Sequence, residues 1–331
     1  MYDVVIIGAG IAGLTAALYS ARQKMKTLVV SRDLGGQLLL APEIQNFPGF
    51  KSISGYDLVK KVEEQARLYG AEVVYDEVVE VGERDGKFYV KTLTGEYEAL
   101  ALILAFGKSP REMNVPGEDR LKGRGVSYCV VCDAALYRGK KVALVGWGHH
   151  GAESVLMLSD YADKVYWVYP GKTPGVKGDL LSLVRSKGNV EEVAGYEPVE
   201  VLGEKRVTGL VVRERGTGPL KTLEVDGVFV EMGYIAKTDL VKGFVKLNEK
   251  GEVVVDKYCR TSREGVFAAG DVTDAPFKQA VIAAGTGAIA ALSAYQYVMA
   301  KKGKAVSVVG DWRHVKIEEK ESEGKLFLEP G

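Results

Sequence analysis

Cys129 and Cys132 stand two residues apart, with Asp133 directly after them. Two intervening residues let the sulfurs close a small disulfide ring without stretching the backbone. A thiolate is the attacking species in disulfide exchange, and a nearby cation or helix N-terminus lowers its pKa. A carboxyl beside the pair can carry protons to and from the thiols, the role expected of Asp133. Zinc binding is the competing use of such a pair. It needs four ligands, and the remaining Cys259, His149, His150 and His314 are scattered without ligand spacing. No metal is expected, and Cys259 reads as a small buried apolar residue.

The second chemistry in the chain is anion binding. GAGIAG at 8–13 follows a β-branched run at 4–7 and opens an Ala- and Leu-rich helix reaching about residue 22. Gly8 suits the tight bend, Gly10 lets the backbone approach a pyrophosphate, and Gly13 lets helix and strand pack closely. The phosphates belong on the helix N-terminus around Ala12, where free N–H groups and the dipole favour an anion. The usual acidic ribose partner after the next strand, 27–30, is missing. Ser31 and Arg32 stand there, with Asp33 one step on.

The pattern recurs as GWGHHG at 146–151, between a strand at 141–145 and a helix at 152–160, with its second strand at 165–168. Gly146, Gly148, His149 and Gly151 are its candidate dinucleotide contacts. A third segment, GVFAAGD at 265–271, is an apolar strand that delivers Gly270 and Asp271 at its end. Its pattern is similar to the second flavin motif of FAD-dependent reductases. Lys278, Gln279 and Ala280 then open a long helix, whose positive end suits the electron-rich edge of a reduced flavin.

Two strand–glycine–helix–strand units define an α/β chain with two Rossmann-like nucleotide-binding domains. The strand and helix after residue 265 cannot stand alone, so they are expected to complete the first unit, with the second domain inserted in it. The expected division is 1–115 and 247–300 for the first domain and 116–246 for the second, which carries the cysteine pair. A charged tail follows at 301–331. The 331 residues suffice for two domains, and 44 Lys plus Arg balance 44 Asp plus Glu. No global field recruits nucleic acid or anionic lipid. Three cysteines cannot form a disulfide scaffold here, which points to a reducing, cytoplasmic setting. Residues 280–300 are uncharged and long enough to span a membrane. They are mostly Ala, Gly, Ser and Thr with Gln296 inside, so a buried helix is expected instead. An apolar strand begins at Tyr2, so no signal peptide is expected before it.

GAGIAG, LGGQL at 34–38, IQNFPG at 44–49, SPREMNVPGE at 109–118, GVSYCVVCD at 125–133 and TSREGVFAAGDVTDAPFKQA at 261–280 together form a specific set. With them the chain resembles the low-molecular-weight thioredoxin reductases of bacteria and archaea over residues 2–300. The resemblance implies a homodimer with FAD in the first domain. It also implies hydride transfer from NADPH or NADH, and domain rotation that presents the dithiol to thioredoxin or a glutaredoxin-like protein. By position, Cys132 resembles the flavin-facing sulfur and Cys129 the sulfur that attacks the partner, with Asp133 as the acid. Gly36, Gln37, Asn46, Asp271, Gln279 and Ala280 fall on flavin-contact positions. The donor site departs from the family: His149 and His150 replace an Asn-Ser pair, and Pro170, Gly171 and Gly175 stand where arginines would hold a 2′-phosphate. Lys172 and Lys177 are the nearby cations. The alternatives are the same chemistry with a ferredoxin or deazaflavin donor, and a flavin-bound redox sensor without turnover.

Overall fold

A β-branched, unbroken apolar strand buried on both faces needs cover on both sides, and the first sheet has it. The computed structural model describes residues 1–41 and 43–304. Most of the tail, with His314, therefore lies outside the described residues. In the first sheet the parallel strands Glu72–Tyr75, Thr27–Leu34, Tyr2–Ala9 and Glu96–Leu104 run side by side. Beyond them lies the antiparallel pair Lys87–Thr92 and Val78–Arg84. Glu96–Leu104 is shared: its first half pairs with that hairpin and its last residues with the returning strand Val266–Ala268. The late segment thus completes the first sheet, as its sequence implied.

Helices Ile11–Arg22, Gly55–Leu68 and Ala280–Lys301 enclose one core, built around Ile6, Leu14, Val29, Ile103 and Ala290. Ser54 starts the second of these helices by accepting a hydrogen bond from the Asp57 N–H. The 22-residue apolar helix 280–301 crosses the first helix very closely, because a Cβ at Gly287 would lie 2.2 Å from the Ala12 carbonyl oxygen. Its small residues serve this contact. By length and composition alone it would also pass for a membrane span.

The opposite face of the sheet shows a correction to the domain boundary. Val241, Val245 and Val253 are buried in one cluster with Val5, Ile7, Leu102 and Leu104. The chain therefore re-enters the first domain before residue 247. The apolar spacing of 241–245 gives no sign of which core it joins.

The second domain has a parallel sheet ordered Val190–Ala194, Lys164–Tyr169, Lys141–Gly146, Gly227–Glu231 and Val126–Ser127. Helices Gly148–Ser159 and Asp179–Ser186 flank it, around a buried Trp167. The antiparallel strands Tyr196–Leu202, Gly209–Glu214 and Leu220–Leu223 bring Val201, Leu210, Val212 and Leu223 into a second core with Val145 and Val228. The helix after the second glycine run starts at Gly148, four residues before the point its composition suggested. Ser109–Pro110 and Tyr234–Ile235 pair antiparallel where the chain passes between domains.

Candidate active site

Open parallel sheets bind ligands beyond the carboxyl ends of their strands. There the first sheet opens a cavity of about 530 Å³. Gly8, Gly10, Ala12, Ser31, Gly36, Gln37, Asn46, Gly270, Asp271, Lys278, Gln279 and Ala280 all line it. Gly13 does not; it packs inward, and a Cβ there would lie 1.9 Å from the Gly8 carbonyl oxygen. Gly10 and Gly36 keep the cradle open, since a Cβ at Gly36 would meet no atom within 4 Å. Helices Ile11–Arg22 and Ala280–Lys301 both begin at this cavity without a side-chain cap. Their first N–H groups are thus available to an anionic ligand. The Gln37 amide donates to the Lys108 carbonyl at 3.2 Å, and the Asn46 amide to Gln279 Oε1 at 3.2 Å. These bonds tie the 36–46 loop across the cavity.

Two further acids stand at the end of the cavity where the expected ribose acid is missing. Asp76 and Glu77, just after the third parallel strand, line the same cavity as Ser31 and Arg32. The Asp76 N–H donates to the Ser31 carbonyl at 2.9 Å. Hydrogen bonds from the Thr94 and Thr92 hydroxyls hold the Asp76 carboxyl at about 2. A search confined to the end of the second strand misses both acids.

Sequence reading singled out Lys278 at this site but missed Lys108 and Glu252. Lys108 Nζ lies 2.9 Å from Glu252 Oε1, and Lys278 Nζ lies 3.2 Å from the same oxygen. Both lysines line the cavity, and the Glu252 side chain is only 8% exposed. Burial works to raise the Glu252 carboxyl, but Asn248 and the two ammonium groups outweigh it and hold it at about 2. Burial raises the Asp271 carboxyl, with Lys278 and Lys108 pulling the other way. Removing one member of a buried ion pair costs about 3–5 kcal/mol, so this cluster is built to keep its charges.

The cysteine pair lies on the second domain. Cys129 and Cys132 form a disulfide with Cα atoms 5.3 Å apart. Cys129 begins the one-turn helix Val130–Asp133, and the Cys132 N–H donates to Cys129 Sγ at 3.0 Å. Ser127 fixes the approach by accepting from the Cys129 N–H at 3.1 Å. The Tyr128 hydroxyl donates to buried Glu118 at 2.6 Å, and Glu118 also receives the Met113 and Asn114 N–H groups. Burial and this carboxylate push the Tyr128 phenol well above its usual range. Cys129 lines a second cavity of about 630 Å³ with Trp147, Met157, Glu231 and Tyr234, while Cys132 is exposed. Neither sulfur lines the first cavity. Cys259 is buried and unpaired, and burial pushes its thiol up to about 11.

The second glycine turn is built differently. The Gly148 N–H donates to the Pro174 carbonyl at 2.7 Å, so a neighbouring loop already satisfies it. Trp167 supports the turn from below, its indole N–H donating to the Gly146 carbonyl at 2.9 Å. The His149 side chain is 69% exposed and reaches Glu153 at 3.4 Å, as does His150. His150 lines the second cavity; Gly146, Gly148, His149 and Gly151 do not.

A dinucleotide cradle on one Rossmann-like domain and a disulfide on a second define a two-domain disulfide oxidoreductase. Residues 2–287 match the family described as pyridine nucleotide-disulphide oxidoreductase. The chain is 37% identical over 299 residues to thioredoxin reductase of Treponema pallidum, covering 90% of this chain and 97% of that protein. It aligns with the crystal structure of Lactococcus lactis thioredoxin reductase (FR conformation) at TM-score 0.77 and 32% identity, covering 91% of this chain and 100% of that one. For T. acidophilum thioredoxin reductase the TM-score is 0.73 at 36% identity, covering 89% and 98%. The chain belongs to the pyridine nucleotide-disulphide oxidoreductase family.

That family implies a flavin and a pyridine nucleotide. The first cavity fits FAD: an open glycine cradle, the uncapped N-terminus of Ile11–Arg22 for the pyrophosphate, that of Ala280–Lys301 for the ring edge, and the half-buried Asp271 carboxyl. The second glycine turn fits a pyridine nucleotide only in part. Its turn and helix are in place, but the bonded Gly148 N–H and the lack of arginine at 170, 171 and 175 leave no 2′-phosphate clamp there.

Proposed function

We propose that the protein is an FAD-dependent thioredoxin-disulfide reductase. Electrons pass from NADPH or NADH to the flavin, then to Cys129–Cys132, and then to thioredoxin or a glutaredoxin-like disulfide protein. The observation that carries this reading is the union in one chain of a dinucleotide cradle and a closed CxxC disulfide on separate, strand-linked domains. When bound, FAD supplies the capacity to accept an electron pair and pass it to a disulfide.

The chain's own residues do the rest. Asp271 would accept hydrogen bonds from the flavin's ribityl chain, the N-terminus of Ile11–Arg22 would hold the phosphates, and that of Ala280–Lys301 would face the ring edge. After reduction, the Cys129 thiolate attacks one sulfur of the partner disulfide and expels the other as a thiolate. Cys132 then attacks Cys129 Sγ, which releases the second partner thiolate and restores the internal disulfide. The Cys132 N–H at Cys129 Sγ favours negative charge on the attacking sulfur. Asp133 carries the protons that the expelled thiolates take up. Because neither sulfur lines the first cavity, flavin and disulfide meet by rotation about Ser109–Pro110 and Tyr234–Ile235. The reading includes a homodimer, supported by exposed Phe277, Val281 and Ile289 beside and along the last helix, and a cytoplasmic setting, which rests on the few cysteines.

The test is trapping. A Cys132→Ser protein, reduced and mixed with thioredoxin, should hold it as a mixed disulfide through Cys129. Cys129→Ser should hold none. Normal thioredoxin turnover by either variant would contradict the assignment.

A further inference from the structure

Two cavity residues, Lys108 and Lys278, and the carboxylate behind them, Glu252, have no part in the sequence of steps above. Lys108 comes from the loop after Glu96–Leu104, Lys278 precedes the last helix, and Glu252 lies between. They converge although Lys108 and Glu252 are 144 positions apart. Glu252 pairs with both ammonium groups, and Asp271 on the same cavity wall is the other carboxyl that feels them, so Lys108 is a cation fixed at the cavity. Asn248 donates to the other Glu252 oxygen at 2.8 Å and fixes its orientation. Lys278 also donates to the Thr273 carbonyl, and the Lys108 carbonyl receives the Gln37 amide.

The location follows from the Rossmann rule. A dinucleotide's adenosine ribose sits at the end of the second strand and its pyrophosphate at the helix N-terminus. Ser31, Arg32 and Asp76 mark the ribose end. The isoalloxazine then falls on the other side of the pyrophosphate, where Asn46, Lys108, Asp271 and Gln279 line the cavity. Two electrons and one proton turn the neutral oxidised ring into an anion. That anion then gives two electrons and its proton, with one further proton, to the disulfide, which yields two thiols. A fixed cation beside the ring therefore favours the reduced form over the oxidised form, because charges in a poorly solvated site interact strongly.

We propose that Lys108, held in place by Glu252 together with Lys278, is a positioning cation that sets the reduction potential of the bound flavin. This rests on the reading that FAD occupies the first cavity. Its two charge changes carry opposite signs. Lys108→Met removes the cation and makes the flavin harder to reduce. Glu252→Gln removes the carboxylate that pairs with both ammonium groups and makes it easier to reduce. Lys108→Arg keeps the charge and stays close to the parent.

The experiment uses full-length holoprotein with Cys129→Ser and Cys132→Ser, so that only the flavin titrates. FAD content is read first from absorbance. The flavin is then equilibrated anaerobically with a redox dye of known potential. The expected result is at least a tenfold fall in the reduction equilibrium constant for Lys108→Met, about 30 mV for a two-electron couple. Glu252→Gln should shift it the other way, and Lys108→Arg should restore the parent value within threefold. Should Lys108→Met fail to fold, the upward shift of Glu252→Gln carries the test alone. Bound FAD with an unmoved potential in these variants overturns the proposal. A parent protein that binds no FAD overturns the cavity assignment itself.

Discussion

The two glycine turns begin from nearly the same sequence pattern and end as different sites. At 8–13 the turn opens into a cavity shared with a second helix N-terminus, a half-buried Asp271 and two lysines. At 146–151 the turn is closed by its own neighbour, with the Pro174 carbonyl on the Gly148 N–H. The strand, bend and helix are common to both, so they do not decide what is bound. The difference lies in segments brought in from elsewhere: 76–77, 108, 252 and 271–280 at the first turn, and 170–175 at the second. A glycine motif thus specifies an approach for a backbone, and the surrounding loops specify the ligand.

The largest expected break in this comparison is steric. Gly13→Ala places a Cβ 1.9 Å from the Gly8 carbonyl oxygen, whereas at Gly151 the nearest atom is 3.1 Å away. Gly13→Ala should destabilise the first domain by about 3 kcal/mol or more and empty it of FAD. Gly151→Ala should stay within about 1 kcal/mol of the parent, because the gain in helix propensity offsets a mild contact. Thermal unfolding and flavin absorbance of both variants check this, and similar losses in the two would remove the distinction.

A smaller effect separates two half-buried carboxyls, Asp271 and Glu231. Asp271 has lysines near it, whereas burial dominates at Glu231 beside the second turn and pushes it up to about 7, opposed by Ser154. The native state therefore binds a proton that the unfolded chain releases near 4.5. Stability from this group is fully present below pH 4.5 and is lost as pH rises through 7. Glu231→Gln should stabilise the protein by about 1–3 kcal/mol at pH 8 and change little at pH 4.5, after allowing for its partial exposure. Denaturant melts at both pH values measure this. A variant equally stabilised at both would show that the carboxyl does not titrate as described. Burial with the Glu231 charge also pushes the Tyr234 phenol up, so the two should shift together.

The smallest effect concerns the donor. Each charge-assisted bond to a 2′-phosphate is worth about 1.5–3 kcal/mol, and Pro170 and Gly171 provide no side-chain donor. Steady-state kcat/KM for NADPH and NADH with a cognate thioredoxin should agree within about tenfold. A thousandfold preference for NADPH would show that Lys172, Lys177 or other residues rebuild the clamp.

Much of the molecule was legible because its signals are local. The glycine bends, the β-branched runs, the Gly270–Asp271 strand end and the two-residue cysteine spacing each act within one turn or strand. The long-range features were not. Glu252 meets Lys108 across 144 positions, and nothing near either residue announces the other. Asp76 and Glu77 reach the ribose end from a strand that sequence reading did not connect to the first glycine turn. Val241 and Val245 look like any apolar pair until the first sheet's second face needs cover. The Pro174 cap depends on a loop path that glycine and proline leave locally undetermined.

In the proposed reaction the flavin and the Cys129–Cys132 disulfide form one electron path. Anaerobic reductive titration of the holoprotein, followed by flavin absorbance, tests it most directly. The parent should take up two electron pairs per FAD before the flavin is fully reduced, one for the flavin and one for the disulfide. The protein with Cys129→Ser and Cys132→Ser should take up one. The same uptake in both would contradict the account.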